Sequence, residues 1–281
     1  MALNGTDRFL ITQGNHDTGN QISPTSEDRY VYETEWKSHA ISKIINNNGI
    51  KFYNNGKAFY YDDPISKIRF ISIDAFENNG YYDGIFRLDQ KVTQDQIDWI
   101  KNIALKNIPD DYSVVSFSHY SLFKFEFHDG TTYNRGCLYE FAEGNPQALA
   151  DLQNAFASFK HSGGKYVGHF SGHIHCDLLQ TKEISIDPNN VNAATASITN
   201  IWTMNDGIAG YNNSDYVDFI PTSEKKIKGT IGECAFDIVI LTEETKNIDG
   251  VEQTIGKGEM IRIGKKTPEE AEHFIERIWY Y

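Results

Sequence analysis

The chain has 281 residues, 40% of them hydrophobic and 13% aromatic, which suffices for one large domain or two modest ones. Its net charge of −13 argues against a general nucleic-acid binder, which needs a positive face. A phosphorylated substrate stays open, because bound divalent cations invert the local field.

No apolar run approaches the roughly 20 residues that cross a bilayer. The opening Met-Ala-Leu-Asn-Gly-Thr-Asp lacks the layout of a signal peptide. The expectation is therefore a cytoplasmic protein without a membrane partner. Cys137, Cys176 and Cys234 are odd in number and scattered, so reduced thiols are expected rather than a disulfide framework.

In chain order, residues 8–13 read as a strand that ends in the loop Gly14-Asn15-His16-Asp17. Residues 26–48 have helical spacing at Ile41, Ile44 and Ile45, with Gly49 as the stop. Residues 50–61 read as a hairpin around Asn54-Asn55-Gly56. Residues 68–73 form a strand ending at Asp74.

Thr93-Gln94-Asp95-Gln96 is a capping box, and Ile97, Ile100 and Ala104 continue the helical period. A strand over 113–117 ends at Ser118-His119. Asn145-Pro146 opens a helix whose apolar face is Leu149, Leu152, Phe156 and Phe159, and Gly163-Gly164 stops it. A strand over 165–170 then ends at Ser171-Gly172-His173-Ile174-His175.

Beyond Cys176, strands are expected over 178–186, 193–204, 233–241 and 258–263. Thr267-Pro268-Glu269-Glu270 starts a terminal helix. Alternating strands and helices of this kind give an α/β layered fold, in which ligand groups gather beyond the carboxyl ends of strands. No repeat or linker divides the chain. We read a single domain over 1–281, with the chemistry in 8–177 and with 178–281 completing a second sheet plus a terminal helix.

The three strand-end loops offer Asn15, His119, His173 and His175. Imidazole nitrogens suit Zn, Fe or Mn, and an Asn oxygen is a neutral hard ligand. In Gly-His-x-His on an extended segment, the two histidines point to the same side and can serve adjacent ions. His16 stands beside a ligand without being needed as one, which suits a general acid, and Asp17 could raise its basicity.

Other candidates have plainer readings. Asp74, at the end of its strand, reads as a turn or capping residue rather than one that enters the cleft rim. His169, inside a strand, is a core histidine or one that supports the site. His128 is a surface histidine in a loop over the cleft. His39, His161 and His273 face solvent. Tyr81, Tyr82 and Phe86 pack as core or lid.

Gly14-Asn15-His16-Asp17, a strand-end His119, and Gly172-His173-Ile174-His175, in that order, resemble the calcineurin-like metallophosphoesterase family. The resemblance runs from about Arg8 to Asp177. It implies a four-layer α/β/β/α sandwich around two divalent metal ions. Asn15, His119 and His173 would hold one ion and His175 the other. His16 would protonate the leaving oxygen of a phosphomonoester or phosphodiester, the substrate partner. The residues that bind and select that substrate are not legible.

The family also has an Asp-x-His and a Gly-Asp-x-x-Asp upstream, and neither occurs here before Asn15. The chain reads as a member lacking its first strand-helix unit and the bridging carboxylate. Neutral ligands compensate two dications poorly. Incomplete metal occupancy, or completion by self-association or by an amino-terminal segment, is therefore expected. A catalytically inactive module that keeps the fold is the competing reading.

Overall fold

The computed structural model describes residues 10–14, 49–54, 57–76, 80–82, 85–87, 92–123, 125–126, 132–133, 146–173, 178–203, 236–263 and 277–281. Its centre is a seven-stranded mixed sheet. The strands are β1 (Ile50–Tyr53), β2 (Ala58–Asp63), β3 (Ile68–Ser72), β6 (Ser113–Phe117), β9 (Lys165–Ser171), β10 (Leu178–Ser185) and β11 (Thr195–Trp202), in the order β1-β2-β3-β6-β9-β11-β10.

β1 and β2 form the expected hairpin, with Asn54 at φ +37° in its turn. β3, β6 and β9 are parallel neighbours. Parallel neighbours need long crossovers. Here these contain helix α1 (Gln94–Trp99), continued as a π turn over Ile100–Ala104, and helix α2 (Pro146–His161).

Two short hairpins lie in the connections. β4 (Gly80–Tyr82) pairs with β5 (Ile85–Arg87), and β7 (Phe125–Glu126) pairs with β8 (Thr132–Tyr133). A separate sheet holds β12 (Phe236–Ile248), β13 (Val251–Ile263) and β14 (Arg277–Tyr280), all antiparallel.

The larger core lies on the helical face of the main sheet. Leu149, Leu152 and Phe156 of α2 meet Ile71, Val114, Tyr166 and Ile198, and Phe156 stacks on Tyr166 at 4.7 Å. Each such fully buried side chain contributes roughly 1.5–3 kcal/mol of transfer free energy. On the opposite face, Val115, Val167 and Ile201 meet Met260 and Trp279 of the smaller sheet. Trp279 Nε1 also donates to the Val167 carbonyl at 2.8 Å.

Buried ion pairs tie off the edges. Arg69 makes a two-pronged contact with Asp62 and donates to the carbonyls of Ala104 and Lys106, closing the end of the π turn. Asp237 is held between Arg262 and Arg277. Burial alone would raise its carboxyl pKa, but the two guanidinium groups outweigh that and lower it.

Several expectations need correcting. Residues 10–14 carry no strand pairing, although Leu10 and Ile11 pack beside Ile50 and Phe59. The capping box is half made. Thr93 Oγ1 accepts from the Gln96 amide at 3.2 Å, but the Gln96 side chain reaches to Asp74 instead of back to Thr93.

β10 and β11 join the first sheet rather than the second. β12 and β13 run on past the expected strands 233–241 and 258–263 as one long hairpin, turning at Asp249-Gly250 with positive φ at both. Arg277–Tyr280 is a strand, not a continuation of the terminal helix. The expected helices over 26–48 and from Thr267, and all three cysteines, lie outside the described residues. Among the described residues no helix is long and apolar enough to cross a membrane.

Candidate functional site

β6 and β9 are adjacent and parallel, so their carboxyl ends open on one side of the sheet. His119 follows β6 and His173 follows β9. The two following loops are stitched together: Ser118 donates its amide to the Phe170 carbonyl, and Gly172 donates to the His119 carbonyl, each at 3.1 Å. This lattice brings His119 Nε2 within 3.0 Å of His173 Nδ1.

The surroundings hold that pair. Tyr120 packs its ring edge-on against both imidazoles, at 4.9 Å from His119 and 4.6 Å from His173. Phe76 closes the other side of His119 at 6.0 Å and touches Tyr120 at 5.2 Å. His173 adopts φ +68°, a left-handed conformation that costs a non-glycine residue free energy and that clusters at functional sites.

Asn200 of β11 braces both loops. Its Oδ1 accepts from the Leu122 amide, and its Nδ2 donates to Ser171 Oγ, each at 2.9 Å. Asn200 and Tyr120 were not foreseen. The available signal for Asn200 was a lone amide in a largely apolar strand, Ile198-Thr199-Asn200-Ile201-Trp202, all of it buried in the structure.

Asp74 supports the floor. Its Oδ1 accepts from the Phe76 amide, a local turn that seats the Phe76 ring, and Gln96 brackets the Asp74 backbone with two hydrogen bonds. Lys57 Nζ forms an ion pair with Asp74 Oδ2 at 3.1 Å and donates to the Phe76 carbonyl at 2.7 Å. Burial pushes the Asp74 carboxyl upward in pKa, against the pull of Lys57. Asp74 is thus the turn residue the sequence indicated, and it is buried.

Asn15, His16, Asp17 and His175 lie outside the described residues, as do His39, His128 and His273. His161 is exposed at the end of α2, and His169 is fully buried. The structure therefore brings together two of the six site residues, His119 and His173.

Two imidazole nitrogens about 2.1 Å from one ion at a right angle would stand about 3.0 Å apart. The observed separation is that of a hydrogen bond between the two rings, and it equally matches two neighbouring octahedral positions on a single ion. Among the described residues no group of three His, Cys, Asp or Glu side chains stands together to complete a metal site. The pair fits part of a metal centre and does not by itself make one.

No family model matches this chain, and no curated protein matches it significantly.

Proposed function

We propose that the chain is a metal-dependent phosphoesterase with a four-layer α/β/β/α architecture, acting on a phosphomonoester or phosphodiester. The observation that carries this reading is the 3.0 Å approach of His119 Nε2 to His173 Nδ1 at the ends of adjacent parallel strands. The order of the three motif loops in the sequence supports it.

In this reading Asn15, His119 and His173 hold one divalent ion and His175 a second; Mn, Fe and Zn all suit these donors. Bound ions would supply charge stabilisation on the phosphoryl oxygens and activation of water. The chain's own part is to fix two imidazoles through Tyr120, Phe76 and Asn200, and to deliver a proton from His16, steadied by Asp17, to the leaving oxygen.

A second reading is favoured by the donor set. The nominated ligands Asn15, His119, His173 and His175 are all neutral. A module that keeps the fold without catalysis would have such a set.

Hydrolysis of bis(p-nitrophenyl) phosphate with Mn²⁺ separates the two. The enzyme reading predicts turnover that falls about 10²–10⁴-fold in His16→Ala, the usual cost of removing a general acid. Equal rates in wild type and His16→Ala would remove the assigned acid. Calorimetric titration with Mn²⁺ is expected to show weak or partial binding, and two tight sites per isolated monomer would contradict the neutral-ligand argument.

A further inference from the structure

Ser116, Ser118, Tyr166 and His169 form a fully connected polar cluster inside the main sheet, none more than 2% exposed. His169 Nδ1 lies 2.8 Å from Ser116 Oγ, which lies 2.6 Å from the Tyr166 hydroxyl. His169 Nε2 lies 3.0 Å from both the Tyr120 carbonyl oxygen and Ser118 Oγ.

One group sets the direction of the whole chain. A carbonyl oxygen only accepts, so His169 must carry its proton on Nε2. Nδ1 then accepts from the Ser116 hydroxyl, whose oxygen accepts from Tyr166. Ser118 Oγ also donates to the Tyr120 carbonyl. Every polar atom in this relay has a partner, and the relay ends on the backbone of Tyr120.

His169 reaches this place through an irregularity. A strand alternates its faces, so residues 166 and 169 should point to opposite sides. The β6–β9 register slips at Val114/Val115, and Gly168 in β9 has φ +147°. This bulge restores His169 to the face of Tyr166 and sends Phe170 to the face of Val167.

Tyr120 is the link outward, because its ring touches both His119 and His173 while its carbonyl is held from beneath. We propose that His169 is a positioning residue: through the Tyr120 carbonyl it fixes the Tyr120 ring, and so holds His119 against His173. The inference rests on the reading of that pair as metal ligands. It adds a buried device that sets their approach. A histidine that merely fills space would act through volume and not through the Nε2 proton.

The test uses the full-length chain with His169→Gln and His169→Asn. A Gln amide can donate from near the Nε2 position to the Tyr120 carbonyl. The shorter Asn amide reaches only the Ser116 side. Ring-nitrogen NMR of the metal-free, ¹⁵N-histidine-labelled protein reports the His119–His173 contact directly, and Mn²⁺ titration reports its use.

In His169→Asn the His119–His173 signature should disappear and Mn²⁺ affinity should fall about 10–100-fold, the range seen when groups supporting metal ligands are removed. His169→Gln should restore both to within about threefold. Retention of the wild-type signature in a folded His169→Asn, or equal impairment in both variants, would overturn the proposal.

Should His169→Asn fail to fold, Tyr120→Leu decides, since it leaves the relay and removes the ring. Loss of the signature supports the proposal, and retention overturns it. If the wild type binds no Mn²⁺, the phosphoesterase reading fails while the NMR comparison still judges the positioning role.

Discussion

At the scale of the residue, His169 is also where the fold meets pH. Burial lowers its pKa from the ordinary 6.5 to about 4, with the Tyr120 carbonyl pulling weakly the other way. The unfolded chain therefore binds the extra proton between those two values and the folded chain does not. Stability rises with pH across this window. It is unaffected by His169 above the upper value, and a cost accumulates as pH falls toward the lower, reaching roughly 3 kcal/mol. His169→Gln has no such proton to exclude. Its denaturant midpoint should fall less steeply than that of the wild type between pH 6.5 and about 4, the window set by that shift. Parallel slopes would mean that His169 is not held neutral. His119 and His173 were legible because each ends a strand in a local motif. Tyr120 and Asn200 were not, because their importance lies in partners 49 and 78 residues away.

At the scale of the element, the parallel strands β3, β6 and β9 were readable from short apolar runs, since strands covered on both faces carry continuous hydrophobic sequence. The bulge in β9 was not, because Gly168 in a strand signals several things. Its environment is specific. A Cβ there would stand 2.9 Å from Ile201 Cδ1 and 2.9 Å from the Thr199 carbonyl oxygen, at a φ that L-residues avoid. Gly168→Ala should therefore cost roughly 2–4 kcal/mol in urea unfolding, from backbone strain and overpacking together. A cost near zero would show that the bulge relaxes freely, and with it the argument for how His169 reaches Ser116. The capping box teaches a related point. Thr93 obeyed the local rule, while Gln96 left it to clamp Asp74, a partner 22 residues away. Only the proximal parts of the long β12–β13 hairpin were legible, because its distal half is mostly polar, with Ile248, Val251 and Ile255 too sparse to give a period-2 signal.

At the scale of the whole molecule, the smaller sheet carries an exposed apolar face among the described residues. Among the described residues β12 pairs along one edge only, with β13. Its outer face carries Phe236, Ile238 and Ile240, and β13 sets Ile261 opposite Ile238 and Ile263 opposite Phe236, all exposed by 36% or more. Inside the same edge, an apolar groove of about 720 Å³ runs between Val239 and Leu241 on one side and Leu10 on the other, floored by Val115, Phe117 and Phe170. A long edge with exposed apolar residues templates the addition of further strands, and proteins that stay monomeric blunt such edges with charge. On this stretch of β12 the nearest charges are Asp237, which is committed to Arg262 and Arg277, and Glu243, which is paired with Lys165. The chain is therefore expected to self-associate. Its weight-average sedimentation coefficient should rise with concentration, and the double variant Ile238→Lys/Ile240→Lys should hold it at the monomer value. Both side chains are already partly in water and make no polar contact in the core, so the variant should unfold within about 0.5 kcal/mol of the wild type. A wild-type chain that sediments as a monomer at every concentration would sink this reading of the edge. If the edge is the seam of association, Mn²⁺ affinity should rise along with the associated fraction wherever the second copy completes the ligand set, and should be independent of it otherwise.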